Sequence, residues 1–331
     1  MKVHWNGVYP AVTTKFNKDE SIDFENFERG IDAQINAGVD GIIVAGSLGE
    51  QSTLTAKEKK EIAKSAINAS AGRVPVVLNV AEARTSVAIQ TVKEAERVGL
   101  DGIMILPPMK YKSGDHETVE YFKAVANSSS LPFMIYNNPV DYKIFVSVNM
   151  FQELAKLDNI TAVKESTRDI TNITRMKNAF GDRFKISCGV DTLALECLAA
   201  GANGWVAGLV NAFPRETVVI YRLVKAGRIK EALKIYRWFM PLLELDIHPK
   251  LVQYIKLAEV KATYIIITLI AIIVKYVSFV LVFCTIFRIS CITKSLLCFF
   301  LAIIKVHLES SIPSVAPRCS CMCFTFPGNE S

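Results

Sequence analysis

Along the first 260 residues, short and nearly continuous apolar runs alternate with longer segments in which apolar positions return every three to four residues. The runs are Gly7–Thr13, Asp40–Gly46, Val74–Val80, Gly102–Leu106, Pro132–Tyr136, Ile160–Lys164, Phe184–Cys188 and Gly204–Gly208. Continuous apolar character is what a parallel strand buried on both faces requires. The helical segments are Phe24–Ala37, Ala56–Ala71, Ser86–Val98, Thr118–Ala126, Val148–Leu157, Ile170–Ala179, Thr192–Ala200 and Arg215–Lys225. Gly or Asp marks the return to the strand in INAGVDG, ERVGLDG, AFGDRF and LAAGANG, which predicts helix C-caps followed by tight loops. Eight βα units in succession predict an α/β fold, a (β/α)8 TIM barrel over residues 1–227. A doubly wound open sheet is the alternative, but open sheets rarely carry eight such regular units. Two more amphipathic helices, Arg228–Leu245 and Lys250–Val260, predict a short C-terminal helical extension of the same domain over 228–261.

The pattern then breaks. Residues 262–331 form an atypical hydrophobic tail in which Tyr264–Phe287 is almost wholly apolar, interrupted by Lys275. A bilayer span needs about 20 apolar residues, so 264–287 reads either as a membrane segment or, with the rest of the tail, as non-native coding sequence. The second reading is favoured by composition. Six of the eight cysteines lie there, and five basic residues face only Glu309 and Glu330.

That asymmetry changes how the net charge of +6 is read. The tail supplies +3 of it, so the barrel region is near balance and lacks the electrostatic footprint of a nucleic-acid binder. Before the tail the only thiols are Cys188 and Cys197, which fits a reducing compartment and argues against a disulfide framework. The N-terminus MKVHWNGVYP has no apolar signal core. The expected location is cytoplasmic, with membrane association through the C-terminal segment as the alternative. His4, His116, His248 and His307 form no ligand spacing, so no metal is expected.

A barrel of this kind carries its site at the C-terminal ends of the strands. Lys164 ends the sixth run, in ITAVKEST. It reads either as a lysine snorkelling to the rim or as a desolvated amine with a depressed pKa, suited to attack a carbonyl. Tyr136 ends the fifth run before a turn built by Asn137, Asn138 and Pro139. Its hydroxyl either packs under the rim or serves a lysine on the neighbouring strand as a proton shuttle. In VAGSLGEQS, Gly46 and Gly49 allow a tight turn in which Ser47 Oγ and the Leu48 amide converge on one spot, a shape suited to a carboxylate. Glu50 reads as an orienting group and Thr53 as the N-cap of the following helix. Cys188–Gly189 and Gly204–Gly208 bring small or apolar groups that leave room for a short substrate.

Together, Gly46–Glu50, Tyr136–Pro139 and Val163–Ser166 resemble the motifs of the dihydrodipicolinate synthase / N-acetylneuraminate lyase family of class I, pyruvate-type aldolases. The resemblance spans residues 5 to about 260. It implies Lys164 as the imine-forming lysine and Tyr136 as the acid–base hydroxyl. Ser47 and the Leu48 amide would hold the substrate carboxylate, and Gly189 and Val206 would line the pyruvate pocket. The chemistry needs no cofactor, since an iminium is itself the electron sink. A homo-oligomer, typically a homotetramer, is implied as well.

The sequence also departs from the family. The arginine that binds the second substrate's carboxylate in dihydrodipicolinate synthases is replaced by Asp141. The family's second tyrosine aligns with Lys110, Tyr111 being one place off, and the second threonine of the strand-2 turn is Leu48. These departures imply a 2-oxo acid lyase outside lysine biosynthesis, with Asp141 and Lys110 as specificity residues. The alternatives are a dehydratase of a 2-keto-3-deoxy sugar acid, a deaminase of a hydroxylated pyrroline carboxylate, or, in another class, a catalytically silent membrane-anchored barrel.

Overall fold

The computed structural model describes residues 3–108 and 112–262. Eight strands form one all-parallel sheet: β1 (Gly7–Pro10), β2 (Ile42–Val44), β3 (Val76–Val80), β4 (Gly102–Ile105), β5 (Phe133–Asn137), β6 (Ile160–Glu165), β7 (Lys185–Cys188) and β8 (Gly204–Ala207). Each pairs with its sequence neighbour, and β1 returns to pair with β8. Between β1 and β2 the barrel closes through the parallel bridge Ala11–Ile43, where the Val12 N–H donates to the Ile43 carbonyl at 2.9 Å. The fold is the (β/α)8 barrel that the alternation of apolar runs and helical periods predicts. Most strands are trimmed at their ends, because residues such as Val12 and Thr13 already turn into the rim.

Helices cover the outer surface of the sheet because each buries one stripe. In Phe24–Asn36, for example, Phe27 and Ile31 face the sheet. The helix Ala56–Ser70 starts at the expected residue, but its N-cap is Thr55 and not Thr53. Thr55 accepts from the Glu58 N–H while the Glu58 carboxylate receives the Thr55 N–H, a complete capping box. Thr53 is used differently, its hydroxyl donating to the Glu50 carbonyl. The predicted helix Thr192–Ala200 is split into a 3-10 turn, Asp191–Leu193, and a helix, Ala194–Ala199. The segment after β5, expected as a plain turn, contains one helical turn, Pro139–Tyr142, with Pro139 at its first position and the Asn138 side chain capping it.

The extension consists of Ile229–Leu243, the 3-10 turn Glu244–Ile247, and a helix over 251–262. The last helix is fixed to the mouth of the barrel by polar contacts. Lys256 pairs with Glu50 of the strand-2 turn, and Glu259 receives Lys15 Nζ at 2.6 Å and the Thr13 hydroxyl at 3.0 Å. No helix among the described residues is long and apolar enough to cross a bilayer. The candidate span 264–287 and the cysteine-rich end lie outside the described residues, as does Lys110.

Candidate active site

Lys164 and Tyr136 are register partners on β6 and β5. In a parallel sheet, paired residues project to the same face, so both side chains enter the barrel. Lys164 is 7% exposed and Tyr136 6%, and Lys164 Nζ lies 4.1 Å from the centre of the Tyr136 ring. The snorkelling alternative for Lys164 therefore fails, since the amine is inside and not in water. Burial pulls its pKa below the ordinary lysine value, opposed first by the nearby Asp246 carboxylate. Burial pushes the Tyr136 phenol far up, against the Asn138 amide that donates to its oxygen at 3.1 Å. The pair thus combines an amine that sheds its proton readily with a phenol that keeps its own.

Gly189, at the end of β7, makes room for this arrangement. A Cβ built there would fall 2.1 Å from Ser166 Oγ and 2.6 Å from Lys164 Cε. No other residue type fits without moving the lysine. Val206 of β8 is buried and lies one residue past Trp205, the register partner of Cys188, which puts it beside Gly189.

Ser47 is exposed and Leu48 buried. Ser47 Oγ is not free: it shares a 2.5 Å hydrogen bond with the Tyr142 hydroxyl. The Leu48 N–H makes no hydrogen bond among the described residues, leaving it available to an anion. Tyr142 is a site residue that sequence reading missed. Its ring stands edge-on to Tyr136 with 5.6 Å between centres, and burial, then Tyr136, pushes its phenol up to about 12. No sequence signal marked it, because only the helical turn Pro139–Tyr142 carries the fourth residue of the turn back over the strand end.

Asp141 is exposed. Its carboxylate accepts from Asn138 Nδ2 at 2.7 Å, and the same amide group reaches Tyr136. Asp141 therefore orients the amide that holds the phenol, a contact that spacing alone could not reveal.

Two further carboxylates, which the sequence reading did not single out, stand at the mouth beyond β7 and β8. Asp191 is fully buried and accepts from Trp205 Nε1 (2.9 Å), the Gly208 N–H (3.2 Å) and the Leu209 N–H (2.7 Å). Asp246, from the turn Glu244–Ile247, accepts from the Asp191 N–H at 3.0 Å. Burial pushes both carboxyls above the usual range, Asp191 to about 8 with Asp246 as the next cause. An acid just past a strand end, in CGVD, was a readable sign for Asp191. Asp246 lies far along the chain in the extension and gave none. Ser166 Oγ, beside the lysine, is buried without a hydrogen-bond partner.

The profile of the Dihydrodipicolinate synthetase family matches residues 4–264. Among curated proteins, the chain is 33% identical to the 4-hydroxy-tetrahydrodipicolinate synthase of Exiguobacterium sibiricum over 74% of this chain and 85% of that one. It is 32% identical to the synthase of Macrococcus caseolyticus over 78% and 89%. Among solved structures, dihydrodipicolinate synthase from Aquifex aeolicus superposes with a TM-score of 0.72 at 29% identity, covering 74% of this chain and 84% of that one. YagE of E. coli K12, a prophage protein of the dihydrodipicolinic acid synthase family solved with pyruvate, gives 0.74 at 27% identity, covering 78% and 88%.

Proposed function

The chain belongs to the dihydrodipicolinate synthetase family and is a lyase of the class I aldolase type, and from that premise we propose that it acts on pyruvate or another 2-oxo acid through an imine on Lys164. The observation that carries this reading is the buried Lys164 amine over the Tyr136 ring. The neutral amine attacks the C2 carbonyl and forms a carbinolamine. Tyr136, kept protonated by burial, donates its proton as water departs and leaves the iminium. The iminium acidifies C3, and loss of a C3 proton gives an enamine that can make or break a carbon–carbon bond or expel a β-substituent. The Leu48 N–H and the Ser47–Tyr142 hydroxyl pair support binding of the substrate carboxylate, and Gly189 and Val206 support a pocket of pyruvate size.

Asp141 in the place of the family arginine favours a role outside lysine biosynthesis. An acid there repels a second carboxylate. This favours, as the second reading, dehydration of a 2-keto-3-deoxy sugar acid or deamination of a hydroxylated pyrroline carboxylate. Turnover of purified protein on pyruvate plus aldehydes, on sugar acids and on cyclic imino acids tests the proposal. One of these classes should be consumed, and Lys164→Ala should abolish consumption. Turnover that survives Lys164→Ala would overturn it. Asp141→Arg should shift the spectrum toward dicarboxylic substrates; an unchanged spectrum removes Asp141 from specificity.

A further inference from the structure

The turn Glu244–Ile247 lies about 80 residues along the chain from Lys164, yet it delivers a carboxylate to the same mouth. Asp246 is half-buried. Its Oδ2 is held by the Asp191 N–H, while Oδ1 accepts no hydrogen bond among the described residues. A Cβ built on Gly208 would fall 2.4 Å from that Oδ1 and 3.0 Å from Leu48 Cδ1. The free oxygen therefore sits over the end of β8, near the Leu48 and Ile255 side chains at the mouth of the barrel. Asp191 cannot play the same part, because three N–H groups occupy its carboxylate and it is fully buried. The buried Ser166 Oγ lies instead against Gly189, next to the Lys164 side chain.

Resting on the imine reading of Lys164, we propose that Asp246 is a specificity residue whose free oxygen receives a hydroxyl or ammonium donor on the distal part of the 2-oxo acid and turns away a second carboxylate. A fixed acceptor that is partly desolvated discriminates strongly between a donor and an anion, because the anion leaves two like charges facing each other with little water between them. Lys164 and Arg168 act on Asp246 only from a distance, and neither forms an ion pair with it among the described residues, so its free oxygen has no cation partner that would draw in an acid.

The test is the half-saturating concentration for borohydride-trapped adduct on Lys164, measured with pyruvate, 2-keto-3-deoxygluconate and 2-oxoglutarate. The wild-type chain should trap the hydroxylated acid at a concentration at least tenfold below that for 2-oxoglutarate. Asp246→Asn should shrink that ratio at least tenfold, and Asp246→Glu should restore part of it. Equal trapping of the two acids by the wild-type chain, or a ratio unmoved in a folded Asp246→Asn variant, overturns the proposal. If that variant fails to fold, Asp246→Glu decides: a ratio lowered from that of the wild-type chain supports the proposal, and a ratio unmoved overturns it. Failure of the wild-type chain to trap even pyruvate is a different result, for it removes the imine reading on which the inference stands.

Discussion

At the scale of single residues, the chemistry centres on one amine and its immediate neighbours. Lys164 has a folded pKa below its unfolded value of 10.5, because burial disfavours the charged form. Between those two values the unfolded chain binds more protons, so stability rises with pH across that window and the amine costs stability below it. Lys164→Met should therefore raise the melting midpoint at neutral pH, with the gain fading as pH approaches 10.5. A melting series over pH checks this, and a midpoint lowered at pH 7 would contradict it. The rate of imine formation should rise with pH to a plateau whose midpoint lies below 10.5. Tyr136→Phe should lower turnover by about 10²–10⁴-fold, the usual worth of a positioned proton donor, with binding of the 2-oxo acid less affected. In Gly189→Ala the new methyl would meet Ser166 Oγ and Lys164 Cε. A displacement of about 1 Å in a reacting group can cost about 10²-fold, so trapping should fall by at least that factor in a protein that still folds. Of these residues, Lys164, Tyr136 and Gly189 were legible because they break an apolar strand at its chemically useful end. Tyr142, Asp246 and the Asp141–Asn138–Tyr136 contact were not, since each depends on where a turn sends its side chain.

At the scale of elements, periodicity located all eight strands and their helices, because apolar continuity and a helical period are local properties. Boundaries were less legible, since they depend on caps and rim contacts. The helix after β2 shows why. Thr53 and Thr55 are equally plausible in sequence, but only Thr55 has Glu58 three residues on, and the reciprocal hydrogen bonds decide the start. Thr55→Ala should cost about 1 kcal/mol and lower the melting midpoint by about 2–4 °C, while the same change at Thr53 should cost less. Equal losses at the two positions would contradict the capping assignment. The helix over 251–262 has a second task beyond packing. Through Lys256 on Glu50 and Glu259 on Thr13 and Lys15, it ties the extension to the first two strand ends. The turn carrying Asp246 is the segment just before it.

At the scale of the whole molecule, the described residues 3–108 and 112–262 form the barrel and its helical extension. A chain ending at residue 262 is expected to melt cooperatively and to keep imine formation; loss of both would assign a folding role to residues 263–331. Exposed Trp238, Leu257 and Val260 on the two C-terminal helices offer apolar surface of the kind that self-association covers, and sedimentation should find a homo-oligomer. The barrel's division of labour follows from its closure, which gathers the ends of sequence-distant strands at one rim. There the lysine of β6 meets the tyrosine of β5, and Tyr142 links that pair to Ser47 of the turn after β2. Reductive trapping tests that convergence most directly: the protein is incubated with pyruvate and borohydride, digested, and its peptides are sequenced by mass spectrometry. A single 1-carboxyethyl adduct on the Lys164 nitrogen is expected, absent in Lys164→Ala; an adduct on another lysine, or none on well-folded protein, would contradict the imine reading.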